Sequence, residues 1–426
     1  MRNPIAAFCA ILLIHPAGAV QTPDTTSDTR TTFRVVAPFW KTNQGFSSTL
    51  IIRNRHKKSP ATVTPILYTA DGREVRLETL ELAPNSVQEL PLAEALAAAS
   101  EWARSGAVAL EFQAPNAAAV AGYALVMDER RSLLFNSVFR VGYAGGGSKT
   151  FFAPWWLRDE GTRGTLVLFN ASEEQLTVHP SVAVGLIEYS VDEITLTPHQ
   201  VKEIDLRTLL RENGLPGADR GLLRLGYDGP KQALFPALLL FNEKTGHSLA
   251  VNFAASQEPN EDPANAVYFP AVLVNHPDPV LGFKSSLEFT PHALLGNTTS
   301  EFLSVELKAT FELPGASEVK SVTLPITPLA PLETRLVDFS TYIAQGIIPE
   351  EISQVSLRLS YQGAGSDLAA HVFTMDRSGD FTFSMAGLIS VAPPAMTPFP
   401  GTWQATDNRR CTSKISARKK CRRASR

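Results

Sequence analysis

Thr150–Asn170 reads TFFAPWWLRDEGTRGTLVLFN, and versions of this stretch open three successive segments of the chain. Upstream, Thr32–Asn54 carries Pro38, Phe39 and Trp40 and then Ser48-Thr49-Leu50-Ile51-Ile52-Arg53-Asn54. Downstream, Tyr268-Phe269-Pro270 is followed by Ser286-Leu287-Glu288-Phe289. Pro38, Pro154 and Pro270 are each 116 residues apart (154 − 38 and 270 − 154), the size of one two-layer β domain. In a chain of 426 residues that period predicts three tandem units.

Within each unit the elements follow from periodicity. Period-2 alternation and β-branched or aromatic content predict strands over 33–40, 48–53, 62–69, 75–82, 86–90, 107–113, 119–128 and 132–139 in the first copy. Asp71-Gly72 is a hairpin-turn dipeptide between two of them. From Leu92 to Arg104 the alternation gives way to the Ala- and Leu-rich LAEALAAASEWAR, which predicts a helix of about three turns. In the second copy Asp205 is placed to cap a short helix through Glu212. The clearest internal match is a later strand. Val108, Leu110 and Phe112, then Leu223, Leu225 and Tyr227, then Leu357, Leu359 and Tyr361 hold alternate positions, as a strand over a one-sided core requires. The third copy carries insertions. His276-Pro277-Asp278-Pro279 lengthens its first loop, Pro270 to Pro328 spans 58 residues against 44 from Pro154 to Pro198, and Pro291 stands where the counterpart of Asn54 and Asn170 is expected.

The pattern F-x-P, variable loop, T-L-hydrophobic-x-x-N, D-G hairpin, T-L-x-x-P and G-x-L-x-L-x-Y resembles tandem immunoglobulin-like repeats in exported bacterial proteins. The resemblance implies an all-β chain of three immunoglobulin-like β-sandwich domains, each with a short inserted helix, at 32–145, 146–260 and 261–392. It brings no catalytic residues and no cofactor.

Flanking segments point to export. Arg2, the apolar run Ile5–Ile14 and Ala17-Gly18-Ala19 read as a signal peptide over 1–19, followed by a polar leader over 20–31. No later apolar run reaches the ~18 residues of a membrane-spanning helix. Residues 393–426 are a Pro-rich linker and a basic tail expected to be disordered. Nine Lys and Arg and no acid fall in the last eighteen residues, so without these and Arg2 the body holds 29 basic residues (39 − 10) against 42 acidic, about −13. That balance argues against nucleic acid as a specific partner. The tail has the charge to contact anionic surfaces, or to fold back on the acidic body.

Candidate sites are few. Cys411 and Cys421 in the tail either pair as a disulfide, as export permits, or stay free. Glu258, Glu261 and Asp262 in the linker 257–265 are either Ca²⁺ ligands or a solvated hinge. Gly145-Gly146-Gly147 within 142–148 predicts a flexible joint between the first two units. His56, His179, His199, His247, His276, His292 and His371 are scattered singly without metal-ligand spacing and read as surface or loop residues. Trp155 and Trp156 point to opposite faces, so at least one belongs to a core or domain seam. Trp156 and its counterpart Trp40 precede the variable loop and are the residues expected to touch a ligand.

The sequence therefore supports a non-enzymatic exported protein for adhesion, scaffolding or ligand capture, bound to an envelope or extracellular polymer or protein. A carbohydrate-binding array using Trp40 and Trp156, or a hydrolase in the enlarged third copy, are the competing readings.

Overall fold

The computed structural model describes residues 31–99, 104–114, 116–140, 149–256, 264–274, 289–313, 319–352, 354–376, 382–385 and 388–390. The signal peptide at 1–19, the leader at 20–31 except Thr31, the glycine-rich joint, the Glu258–Asp262 linker, the His276–Pro279 loop and the tail with Cys411 and Cys421 lie outside them. Among the described residues the chain is all-β, built of six antiparallel sheets, two from each segment. No described helix is long and apolar enough to cross a membrane.

The first segment runs β1 (Thr31–Lys41), β2 (Phe46–Asn54), β3 (Ala61–Thr69), β4 (Glu74–Arg76), β5 (Leu80–Leu82), β6 (Val87–Pro91), helix α1 (Leu92–Ala99), β7 (Ser105–Ala114), β8 (Val120–Asp128) and β9 (Leu133–Val138). One sheet has the order β1-β7-β3-β4 with β5 also on β3, and the other β6-β2-β8-β9. Their inward faces share one apolar cluster that includes Val35, Trp40, Leu50, Ile52, Leu110 and Ala124.

The second segment repeats the plan with β10 (Thr150–Trp156), β11 (Arg163–Asn170), β12 (Leu176–Val184), β13 (Ile187–Ser190), β14 (Ile194–Leu196), β15 (Val201–Asp205), α2 (Leu206–Glu212), β16 (Arg220–Asp228), β17 (Leu234–Phe241), β18 (Ser248–Asn252) and β19 (Ala254–Ala255). The Asp205 side chain accepts from the Thr208 amide and starts α2 as its N-cap. In the third segment come β20 (Ala264–Leu273), β21 (Phe289–Asn297), β22 (Val305–Glu312), β23 (Val319–Leu324), β24 (Thr334–Asp338), α3 (Ser340–Ala344), β25 (Gln354–Gln362), β26 (Leu368–Asp376), β27 (Thr382–Met385) and β28 (Leu388–Ser390).

Strand order differs from the immunoglobulin one. There the first strand lies beside the second; here β1 pairs β7, while β2 lies between β6 and β8, with the same arrangement in the later segments. Alternation marks which stretches are strands and leaves open which neighbour each takes.

The proline landmark holds in register. Ala37, Ala153 and Phe269 pair with Val108, Leu223 and Leu357, and each is followed by its proline. β1 and β20 carry a bulge there, between Ala37 and Trp40 and between Phe269 and Val272. A bulge suits a residue with no N–H to give the ladder.

A second landmark is a buried asparagine at the end of β2, β11 and β21. Asn54, Asn170 and Asn297 are all fully buried. The Asn170 Nδ2 donates to the carbonyls of Glu174 (2.7 Å), Leu196 (3.4 Å) and Thr197 (2.9 Å), while Oδ1 accepts from the Ser172 amide and hydroxyl. Asn297 repeats this on Glu301, Leu329 and Ala330, with Thr299 in place of Ser172. Asn54 does so on Ser59, Leu82 and Ala83, with the His56 amide. One side chain thus fastens three stretches of chain at the same corner of each segment.

This corner corrects the reading of the third copy. The counterpart of Asn170 is Asn297, not Pro291, and it lies 27 residues past Pro270 (297 − 270) against 16 in the second segment (170 − 154). The eleven extra residues of the first loop had displaced the match. The counterpart of Pro198 is Pro331, not Pro328: the residues after Pro84, Pro198 and Pro331, namely Asn85, His199 and Leu332, have φ of 52°, 57° and 57°.

Candidate functional site: the two seams

The sheets that face a neighbouring segment carry an apolar patch on the outer side as well as on the core side. Val36, Ile66, Tyr68, Ala107 and Ala109 form one cluster with Val167, Phe169, Phe235 and Leu239 of the next segment. Tyr68 stands at its middle, with ring centroids 5.2 Å from Phe169 and 5.0 Å from His199. Its hydroxyl accepts from Arg34 and donates to Glu74 Oε2 at 3.3 Å. Burial pushes that phenol up to about 12. Polar contacts at the rim include the Leu134 amide on the Ser248 hydroxyl (2.9 Å). A large apolar interface removes the relative motion otherwise expected of linked domains, so the flexible joint foreseen between the first two units does not leave them independent.

Between the second and third segments the seam is built on Phe373. His292 stacks on it at 5.4 Å and 10°, Trp156 and His371 lie at 6.2 Å, and His247 is 6.4 Å from Trp156. Leu294 and Met375 join the second segment's core from this side. Gly296 lets the two backbones close, since a Cβ there would lie 2.8 Å from Leu222 Cδ1.

The three seam histidines are buried; His247 is a loop residue as expected, while His292 and His371, buried on strands, correct their reading as surface or loop residues. His292 lies on β21 and His371 on β26, both on the side that faces away from their own core and is covered by the preceding segment. Burial lowers all three. His247 falls to about 4, with Arg158 acting in the same direction, and His371 to about 4, with Arg140 doing so. For His292 burial outweighs the opposing Asp338 carboxylate, 3.7 Å away. His179 is the contrast. Exposed between Glu193 and Asp228, it is raised, chiefly by its hydrogen bond to Asp228.

The tryptophans singled out from the sequence lie inside. Trp40 is fully buried and its Nε1 donates to the Ala107 carbonyl at 2.8 Å; Trp155 is fully buried in the second core. Trp156 is half-buried in the seam against Phe373. Pro154 pairs with Leu222 in the ladder and Pro38 lies in the bulge of β1, so both tryptophan stretches continue a strand and their rings cannot all turn outward. Trp40 presents no ring face for a sugar, and one face of Trp156 is taken by Phe373.

A concave site sits beside this seam. A cleft of about 250 Å³ is lined by Phe152, Ala183, Glu188, Leu222 and Arg224 of the second segment and by Thr298, Ser300 and Leu332 of the third. Its floor is the apolar cluster of Phe152, Ala183, Leu222 and Ala369, against which Leu332 packs. Its polar wall is Arg224, whose Nη1 is 3.3 Å from Glu188 Oε1, and the Ser181 hydroxyl also donates to that carboxylate. The opposite wall is the turn held by Asn297. Sequence reasoning missed this site because its residues come from two segments. Among the described residues no group of three or more His, Cys, Asp or Glu side chains is placed to hold a metal ion. No protein-family model and no curated protein matches the chain.

Proposed function

We propose that the chain is a non-enzymatic exported protein of three β-sandwich domains, joined by apolar seams into one stiff body that serves adhesion, scaffolding or ligand capture at the cell envelope or outside the cell. The observation that carries this reading is the pair of seams. Burying Phe169, Phe235, Phe373 and Leu294 between segments fixes the spacing of every exposed loop, which is what a presenting scaffold needs and independent beads on a string lack. The far face of β22 and β25 carries Glu306, Lys308, Thr310, Arg358 and Ser360 instead, the polar outer surface that an end unit of a stack requires. In this reading the basic tail holds the acidic body near anionic polymer by charge alone.

Envelope and matrix fractions incubated with the full chain test this. The chain is expected to co-sediment with them and to be released by raised salt when the tail is the anchor, and deletion of 393–426 is expected to lower retention. Turnover of ester, glycoside or peptide substrates by the full chain, with no retention on either fraction, would overturn it.

A further inference from the structure

The two seams are built on equivalent positions, so the first shows what the second lacks. Tyr68 pairs with Ala107 and Glu74 across the first outer sheet; Ala183 pairs with Leu222 and Glu188 across the second. Ala183 therefore stands where Tyr68 stands. Phe169 precedes Asn170 as Gly296 precedes Asn297, and His199 and Leu332 share the place after proline with φ of 57°. The first seam is filled by the Tyr68 ring between Phe169 and His199, its hydroxyl held by Arg34 and Glu74. In the second, Leu222 closes over Gly296, while nothing replaces the ring above Ala183, and the cleft of about 250 Å³ opens there. Glu188 keeps the ladder position of Glu74, and Arg224 supplies a guanidinium on the same face.

We propose that this cleft binds a phenolic ring, its face on Phe152, Ala183, Leu222 and Leu332 and its hydroxyl donating to Glu188 and accepting from Arg224. This deepens the ligand-capture reading above and rests on it. The polar pair complements a hydroxyl in both senses, and a hydrogen bond to a charged group is the stronger kind. A benzene ring without the hydroxyl leaves that pair unanswered, so the site discriminates. The ring comes either from a free small phenol or from a tyrosine side chain of a partner polypeptide.

The test uses the full chain and NMR of the Leu222 and Leu332 methyl groups, with p-cresol, the blocked tripeptide acetyl-Gly-Tyr-Gly-amide, and toluene as probes. p-Cresol is expected to saturate the shifts, with toluene about tenfold weaker or more. Tighter binding of the tripeptide than of p-cresol identifies a polypeptide partner; p-cresol binding without the tripeptide identifies small phenols. Ala183→Tyr, which restores the first seam's own filling, is expected to abolish p-cresol binding. Arg224→Leu, at a half-exposed side chain and independent of that variant's folding, is expected to erase the preference for p-cresol over toluene. No saturable shift with p-cresol, equal binding of toluene, or p-cresol binding unchanged by Ala183→Tyr overturns the assignment. Retention on envelope material without p-cresol binding removes the cleft and leaves the scaffold; p-cresol binding without retention does the reverse.

Discussion

Asn170→Ala is expected to lower the unfolding free energy by about 3–5 kcal/mol, measured as a fall in the urea midpoint at constant slope. The Nδ2 group answers three carbonyls and Oδ1 answers the Ser172 amide and hydroxyl, at a side chain with no solvent exposure. Alanine removes all five bonds and opens a cavity at a fully buried position, with the Leu196 carbonyl left without this donor. An unsatisfied buried group costs roughly 1–3 kcal/mol, and partial relaxation keeps the total below the sum. Asn170→Asp is no rescue, because a carboxylate would face the carbonyls of Glu174, Leu196 and Thr197 with no proton to donate. The same substitution at Asn54 or Asn297 is expected to act similarly. A loss below about 1 kcal/mol, the worth of one ordinary hydrogen bond, would show that the corner is held by packing instead.

Acid is expected to loosen the second seam well before carboxylates titrate. His247 and His371 fall from 6.5 to about 4 in the folded chain, so between those values the unfolded chain binds protons that the folded one excludes. Stability from these groups is whole above about pH 6.5 and is lost as pH falls through the window. By pH 4 each has cost on the order of 3 kcal/mol, at about 1.4 kcal/mol per unit. His292 acts in the same direction, as Arg158 and burial outweigh Asp338. Raised and exposed, His179 acts oppositely and is screened by solvent. Thermal midpoints between pH 7.5 and 4.5 are expected to fall steeply below pH 6.5, and His371→Leu to flatten the slope by about one proton. A midpoint level from pH 7 to pH 5 would mean that the imidazoles are hydrated.

Much of the fold is legible in the chain because its signals are local. Leu223, Leu225 and Tyr227 alternate, Asp71-Gly72 turns, and Asp205 caps, each decided within a few residues. The prolines carried the register across all three copies since Pro cannot donate to a ladder and so sits where the ladder tolerates it. What failed was non-local. Trp40 and Trp156 stand before a variable loop, yet whether a ring meets water depends on Ala107 in one case and on Phe373 of another segment in the other. His292 and His371 were read as surface or loop residues, which suits the outer sheet face of a lone unit and fails where another segment covers that face.

A signal for stacking was present. Leu166-Val167-Leu168-Phe169 and Leu238-Leu239-Leu240-Phe241 are apolar on both faces, the mark of a sheet covered on both sides, and β26 places Ala369, His371, Phe373 and Met375 on one outward row. The cleft, in contrast, has no trace in either segment alone. It appears only when Ala183 is compared with Tyr68, and that comparison needs the ladder partners.

Scanning calorimetry of the full chain at pH 7.5 tests the welding of three units through their seams most directly. The seams predict one endotherm whose calorimetric and van't Hoff enthalpies agree, because no unit can unfold without exposing its neighbour's apolar face. Separate endotherms, or a single one whose calorimetric enthalpy is about three times the van't Hoff value, would show three independent domains and contradict it.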